Sequence, residues 1–68
     1  MMGKFVKRYV IRDAETQDEY LHLYYTVKGA IEYIKEEYEV TDKKCGRKRS
    51  YEVYDTIEKK VVVHSHEI

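Results

Sequence analysis

The sequence predicts a small α+β domain with the element order ββαββ, one helix packed on one face of a mostly antiparallel four-stranded sheet. Two observations carry this prediction. Apolar and polar residues alternate in two pairs of short segments, one pair towards each end of the chain. Between these pairs the apolar spacing changes to that of a helix. A chain of 68 residues has room for a single domain, residues 1–68, built from one helical layer on one sheet.

The first hairpin is predicted from residues 4–27. The segment 4–13, KFVKRYVIRD, alternates as a strand, and the polar segment 14–19, AETQDE, has turn chemistry. The segment 20–27, YLHLYYTV, is rich in the aromatic and branched residues that favour strands. On the first strand one face holds Phe5, Tyr9 and Ile11, and the other holds Arg8 and Arg12. On the second strand one face holds Leu21, Leu23, Tyr25 and Val27, and the other holds Tyr20, His22 and Tyr24.

One amphipathic helix of about three turns is predicted to follow. Within TVKGAIEYIKEEYE, the apolar residues Ala30, Ile31, Ile34 and Tyr38 recur at helical spacing. Thr26 is the expected N-cap, because its hydroxyl can accept a hydrogen bond from an amide of the first turn.

The second hairpin is predicted from SYEVYDTIEKKVVVHSH, residues 50–66. Tyr51 and Val53 alternate with Glu52 and Tyr54, and residues 55–60 supply the turn. On the last strand, Val61 and Val63 alternate with Val62, His64 and His66.

An alternative concerns residues 38–49. YEVTD at 38–42 nearly repeats YEVYD at 51–55, so a helix that ended before Tyr38 would leave the first copy as a strand. Cys45 and Gly46 would then head a basic hairpin. The favoured interpretation is a helix end followed by a basic loop, because residues 36–38 continue the helical pattern.

Composition limits the classes of function. The 13 cations balance 13 anions, whereas domains that bind phosphate backbones usually carry a cationic excess. A single cysteine excludes an internal disulfide and is typical of a reducing compartment. No apolar segment has transmembrane length, and the basic start MMGKFVKRYV lacks a signal-peptide core. We therefore expect a cytoplasmic protein without a membrane partner.

The basic segment DKKCGRKRS at 42–50 is the first candidate binding site. Its five cations can contact phosphates in a salt-dependent manner. They can equally be a solvated loop that offsets the acidic helix end before it. The residues concerned are Lys43, Lys44, Arg47, Lys48 and Arg49.

The second candidate is the sheet face that the helix does not cover. If Leu21, Leu23, Val53, Val61 and Val63 face the helix, the open face collects aromatic rings and cations. Such a face suits stacking of single-stranded nucleic acid, and it suits a protein interface equally well. Its members are Arg8, Arg12, Tyr20, His22, Tyr24, Tyr54, His64 and His66.

Metal and thiol chemistry have weaker support. His64 and His66 are spaced i, i+2 on the predicted strand, and with His22 they would supply three imidazoles, but no acidic ligand is placed near them. Cys45 has five cations close to it in sequence, which favours a thiolate. Nucleophilic catalysis also needs a positioned base, and no motif supplies one. We expect no cofactor, no bound metal and no catalytic activity.

Charge alternates along the chain in blocks. Residues 1–12 carry four cations and no anion, residues 13–19 carry four anions and no cation, 32–42 are acidic and 43–49 basic. A surface of mixed sign suits one specific protein partner better than a uniform polyanion. The sequence thus predicts a small interaction module that binds a partner protein or associates with itself. The alternative is a nucleic-acid-binding domain that uses residues 43–49 and the sheet aromatics. In size and composition the chain looks like the small accessory proteins of bacteria and their phages, although no motif carries this likeness.

Overall fold

A computed structural model of the protein describes residues 6–68. Four strands form one antiparallel sheet in the spatial order β2-β1-β3-β4, and one helix between β2 and β3 packs against it. The predicted ββαββ order is confirmed. The strands are β1 (Tyr9–Asp13), β2 (Glu19–Tyr24), β3 (Tyr51–Asp55) and β4 (Lys60–Val63). The predicted start of the first strand, at Lys4 and Phe5, lies outside the described residues.

The helix, α1, is longer than the sequence pattern predicted. It consists of α-helical Val27–Tyr33, π-helical Ile34–Tyr38 and α-helical Glu39–Cys45, which makes 19 residues. The Thr26 hydroxyl accepts a hydrogen bond from the Gly29 amide at 3.0 Å, as expected of an N-cap. Gly46 ends the helix in the left-handed conformation (φ 72°), which glycine adopts without steric cost.

The position of this C-terminus decides between the two interpretations of residues 38–49. YEVTD lies within α1, so the strand alternative is wrong. Lys43, Lys44 and Cys45 belong to the last helical turn, and only residues 46–50 connect α1 to β3. The prediction of a basic loop beginning at residue 43 is therefore also wrong. The helix continues because no glycine or proline interrupts the chain between Ala30 and Cys45.

Two aspartates organise the hairpin turns. The Asp13 carboxylate accepts hydrogen bonds from the amides of Glu15 and Thr16, and the Asp55 carboxylate accepts from those of Ile57 and Glu58. Each turn then contains one residue with positive φ, Gln17 or Lys59. Side-chain capping by aspartate thus provides turns that lack glycine.

The core lies between α1 and the two central strands. Five buried side chains form it, and Ile11, Ile34 and Val53 are fully enclosed. Val62 and Val63 both pack against this core because a one-residue bulge separates the Val53–Val63 pair from the Tyr54–Val61 pair. The core residues are Ile11, Ala30, Ile34, Tyr51 and Val53.

The predicted facing of β2 is wrong. Tyr20 and Tyr24 pack against the core, whereas Leu21 is 94% exposed and Leu23 is 42% exposed. Both faces of β2 carry apolar residues, so alternation alone does not determine which face meets the helix. In the structure, the rings of Tyr20 and Tyr24 pack on the helix side. Val61 was also predicted to face the helix, but it pairs with Tyr54 on the uncovered face.

Candidate functional site

On the uncovered face of the sheet, the side chains form two rows across the strands, one apolar and one charged. Cross-strand partners share a face, so the pairs Val10–Leu23, Val10–Tyr54 and Tyr54–Val61 place one apolar residue of each strand side by side. We call Leu23, Val10, Tyr54 and Val61 the apolar row; Leu23 is 42% exposed, whereas Val10 is buried at 2%. In the same way Arg12 pairs with Glu19 and with Glu52, and these three residues form the charged row.

The charged row is tightly organised around Arg12. Its Nε and Nη2 atoms donate to Glu52 Oε2 at 2.9 and 2.7 Å, and Glu52 is only 8% exposed. The guanidinium carbon lies 4.2 Å from the centre of the Tyr54 ring, a cation–π contact that links the two rows. Arg12 and Tyr54 are therefore on the uncovered face as predicted. The Arg12 guanidinium is paired with the Glu52 carboxylate. Arg12, Glu52 and Glu19 together give the charged row a formal charge of −1.

A groove runs along the uncovered face beside β2. Its volume is about 390 Å³, and Val10, Leu21 and Leu23 contribute to its walls. Lys7 and Glu19 also line it, from opposite ends of the β1–β2 pair. The Lys7 ammonium lies 5.3 Å from the centre of the Tyr25 ring, which is half exposed. Neither Lys7 nor Glu19 forms an ion pair within residues 6–68.

The projection of Leu21 has a local cause. Val10 pairs with Leu23 but Arg12 pairs with Glu19, so Ile11 faces the three-residue stretch 20–22 of β2. The extra residues form a bulge, and Leu21 leaves the sheet at this bulge. Sequence analysis missed Leu21 and Leu23 as surface residues. Leu21 and Leu23 alternate with Glu19 at a spacing of two residues, which places all three on one face of the strand. A charged residue such as Glu19 is unfavourable under a helix, so this spacing indicates that the face is exposed.

The helix-covered face holds a tyrosine cluster, which we define as Tyr20, Tyr24, Tyr33, Tyr38 and Tyr51. Ring centroids lie 5.0 Å apart for Tyr20 and Tyr38, 5.3 Å for Tyr38 and Tyr51, and 5.7 Å for Tyr24 and Tyr33. Tyr33 and Tyr38 are five residues apart, the spacing of a π-helical hydrogen bond, and their rings meet at 5.3 Å. Tyr20 and Tyr24 therefore pack against the core and do not lie on the uncovered face as predicted.

A polar network closes one end of this cluster. The Tyr51 hydroxyl donates a short hydrogen bond to Asp42, a carboxylate of α1 that is only 7% exposed. Arg49 Nε lies 3.9 Å from Asp42 Oδ1 on the other side. Hydrogen bonding to Tyr20, opposed by burial, raises the pKa of Arg49. Arg49 was predicted to contact a ligand, but in the structure it is part of this network.

Burial raises the pKa of three cluster tyrosines. Desolvation is the largest cause for Tyr24, whose pKa is raised to about 12, and for Tyr38 and Tyr51, whose pKa values also lie above the ordinary value. The hydrogen bond to Asp42 adds to the effect at Tyr51. The Tyr24 hydroxyl is buried and has no hydrogen-bond partner within the described part of the chain.

These shifts predict alkaline unfolding. A tyrosine whose folded pKa is raised stabilises the protein below its unfolded pKa of about 10 and ceases to do so as the pH rises through the folded value. Circular dichroism and tyrosinate absorbance should therefore change together between about pH 10 and about pH 12. In Tyr24→Phe the step should release one proton fewer. Full tyrosinate formation with an intact helical signal would contradict the buried cluster.

Arg8, another residue predicted to contact a ligand, is paired with Asp55. Its Nε donates to Asp55 Oδ1 at 3.1 Å, its Nη2 donates to Asp55 Oδ2 at 2.5 Å, and its carbonyl oxygen accepts from Thr56. The hydrogen bond from Arg8 lowers the pKa of Asp55 to about 2. Arg8 thus fixes the start of β1 to the turn after β3.

The remaining cations of the basic segment are available to solvent. Lys43, Lys44, Arg47 and Lys48 are exposed, and none has an ion pair within residues 6–68. An open groove of about 560 Å³ lies among this segment. Its walls mix signs, because Glu39 and Asp42 line it together with Lys43, Arg47, Lys48 and Arg49.

The three histidines do not converge. His22 is on β2 and His64 follows β4, and these strands are opposite edges of the sheet, roughly 14 Å apart at the usual strand spacing. His66 belongs to a short 3-10 turn, Ser65–Glu67, and not to a strand as predicted. Its ring stacks on that of His64 at 5.8 Å. Across residues 6–68, no group of three histidine, cysteine or acidic side chains has the geometry of a metal site.

Cys45 is a free, exposed thiol at the last helical position. Among the described residues, no helix is long and apolar enough to cross a bilayer. Comparison with known proteins found no match to any protein-family model, any curated protein or any solved structure.

Proposed function

We propose that this chain is a non-enzymatic interaction module that binds a partner protein through the uncovered face of its sheet. The observation that carries the proposal is the exposure of Leu23 at one end of the apolar row, 42%, and of Leu21 next to it on β2, 94%. Leaving such apolar surface in water is unfavourable, and its burial by a partner contributes about 25 cal/mol per Å². A protein partner supplies the apolar surface that this burial requires.

The charged row gives the surface its specificity. Arg12 is held between Glu52 and Tyr54, so a partner meets a fixed arrangement of charge next to the apolar row. Fixed charges discourage wrong partners because like charges brought together cost free energy. The row is net negative, which supports a protein partner and disfavours the stacking of nucleic acid on this face. The single cysteine is consistent with action in the cytoplasm, which forms part of the proposal.

Capture experiments with matched variants test the proposal. The immobilised protein is incubated with nuclease-treated lysate of the cells that produce it. Leu23→Lys and Val61→Lys alter the two ends of the apolar row, and each is expected to abolish capture of the same protein. Ile57→Lys is the control, because Ile57 is 55% exposed in the β3–β4 turn and belongs to neither row. Equal capture by all four proteins would overturn the proposal.

A second candidate function is nucleic-acid binding through the basic segment. It is favoured by the four exposed cations Lys43, Lys44, Arg47 and Lys48. Titration with single- and double-stranded DNA and RNA at several salt concentrations tests it, since phosphate contacts give steeply salt-dependent affinity. Micromolar binding that Arg47→Ala with Lys48→Ala removes would support this candidate. Absence of binding at low salt would exclude it.

A further inference from the structure

β2 is an edge strand with an exposed apolar side. The strand order places it at one end of the sheet, with β1 as its neighbour among the described residues. An edge strand presents unpaired backbone groups, and proteins usually protect such edges with charges or proline. β2 carries one charge, at its first residue Glu19, and the segment 20–25, YLHLYY, contains neither a charged side chain nor proline. Its bulge twists the strand, which limits the length of any pairing to a few residues.

We propose that a second copy of this chain pairs antiparallel with β2, related by a two-fold axis that passes through His22. Pairing of two identical edges in one continuous sheet requires an axis normal to the sheet, so one residue of β2 must face itself. The candidates in the centre of the strand are Leu21, His22 and Leu23. Only the register centred on His22 places leucine opposite leucine and, at the same time, brings Glu19 of each copy close to a cation of the other.

In that register, Leu21 of each copy faces Leu23 of the other, and Glu19 faces Tyr25 of the other. Leu21 and Leu23 share parity along β2 and both are exposed, so the two pairs bring apolar side chains together across the axis. Lys7 lies over the Tyr25 ring, so Glu19 of each copy meets the ammonium of the other. Centring on Leu21 would instead place Glu19 opposite Leu23, and centring on Leu23 would place Glu19 opposite Val27, the first residue of α1.

This inference rests on the proposed function and extends it. The pairing joins two sheets edge to edge with both uncovered faces on the same side. The apolar rows of both copies then contribute to one larger surface. A contact along one short strand edge lies at the small end of protein interfaces, so we expect a weak dimer that forms as concentration rises.

A charge exchange tests the register. Sedimentation equilibrium is measured over a concentration series for the parent protein, Glu19→Lys, Lys7→Glu and the double variant. Each single change loses two symmetry-related ion contacts and creates repulsion, so dimerisation should weaken by about tenfold. The double variant should recover most of this loss, because each new lysine again faces a glutamate. Weakening without recovery would overturn the register.

A second pair of variants tests the surface itself. Leu21→Lys should abolish the dimer without loss of the circular dichroism signal, because the side chain it replaces is 94% exposed. Ile57→Lys, on a turn away from β2, should leave dimerisation unchanged. A parent protein that remains monomeric up to about 1 mM would overturn the dimer. If the protein is monomeric but Val61→Lys still abolishes capture of the partner, the partner-binding proposal stands and the dimer does not. If the protein dimerises but captures no partner, self-association stands and partner binding does not.

Discussion

Replacing Tyr51 with phenylalanine is expected to lower the free energy of unfolding by about 2 kcal/mol, because a hydrogen bond to a charged group is lost at a buried site. The Tyr51 hydroxyl donates to Asp42, and both residues are less than 10% exposed. Within residues 6–68, the variant leaves Arg49, at 3.9 Å, as the one remaining side-chain partner of the Asp42 carboxylate. Urea denaturation followed by circular dichroism measures the change.

Tyr24→Phe is the matched control. It removes a hydroxyl from the same cluster, but this hydroxyl is buried without a partner within residues 6–68, so its loss should be neutral or stabilising. A double-mutant cycle of Tyr51→Phe with Asp42→Asn isolates the coupling between the two groups. Equal destabilisation by Tyr51→Phe and Tyr24→Phe would show that the Asp42 contact does not stabilise the fold.

Ile34→Ala is expected to have the largest effect, a loss of about 3 kcal/mol through lost burial and the cavity left behind. Ile34 is fully buried where α1 meets the sheet. Domains of fewer than about 70–80 residues seldom have more than about 3–5 kcal/mol of stability, so this variant should be largely unfolded at 25 °C.

Val40→Ala provides the comparison on the same helix. Val40 is 46% exposed, so truncation there should change the free energy of unfolding by less than about 0.5 kcal/mol. Circular dichroism and urea denaturation of both variants give the two values. A cost below about 1 kcal/mol at Ile34, or equal costs at both positions, would contradict the packing of α1 on the sheet.

Element order could be predicted from the sequence because period and turn chemistry are local properties. The strand patterns of 4–13, 20–27 and 50–66, with helical spacing from Ala30 to Tyr38, are sufficient to derive ββαββ. The sequence predicts a helix of about three turns because the apolar helical spacing ends at Tyr38 and charged residues follow. The charges do not end the helix; Gly46 does so through its positive φ.

The candidate site was harder to predict because it depends on how strands meet. β2 has apolar residues on both faces, so which face meets the helix is set by the packing of Tyr20 and Tyr24 against α1. The bulge that exposes Leu21 follows from the pairing of β1 with β2, which residue spacing does not encode. The predicted open face included Arg12 and Tyr54 correctly, but the ion pair that engages Arg12 with Glu52 joins residues 40 positions apart.

The proposed partner binds the apolar row and not the basic segment. The most direct measurement is side-chain NMR of the labelled protein with and without the captured partner. The methyl signals of Leu23 and Val61 and the ring signals of Tyr54 should shift or broaden on binding, while the signals of Arg47 and Lys48 stay unchanged. Perturbation confined to residues 43–49, with the apolar row unaffected, would contradict this proposal.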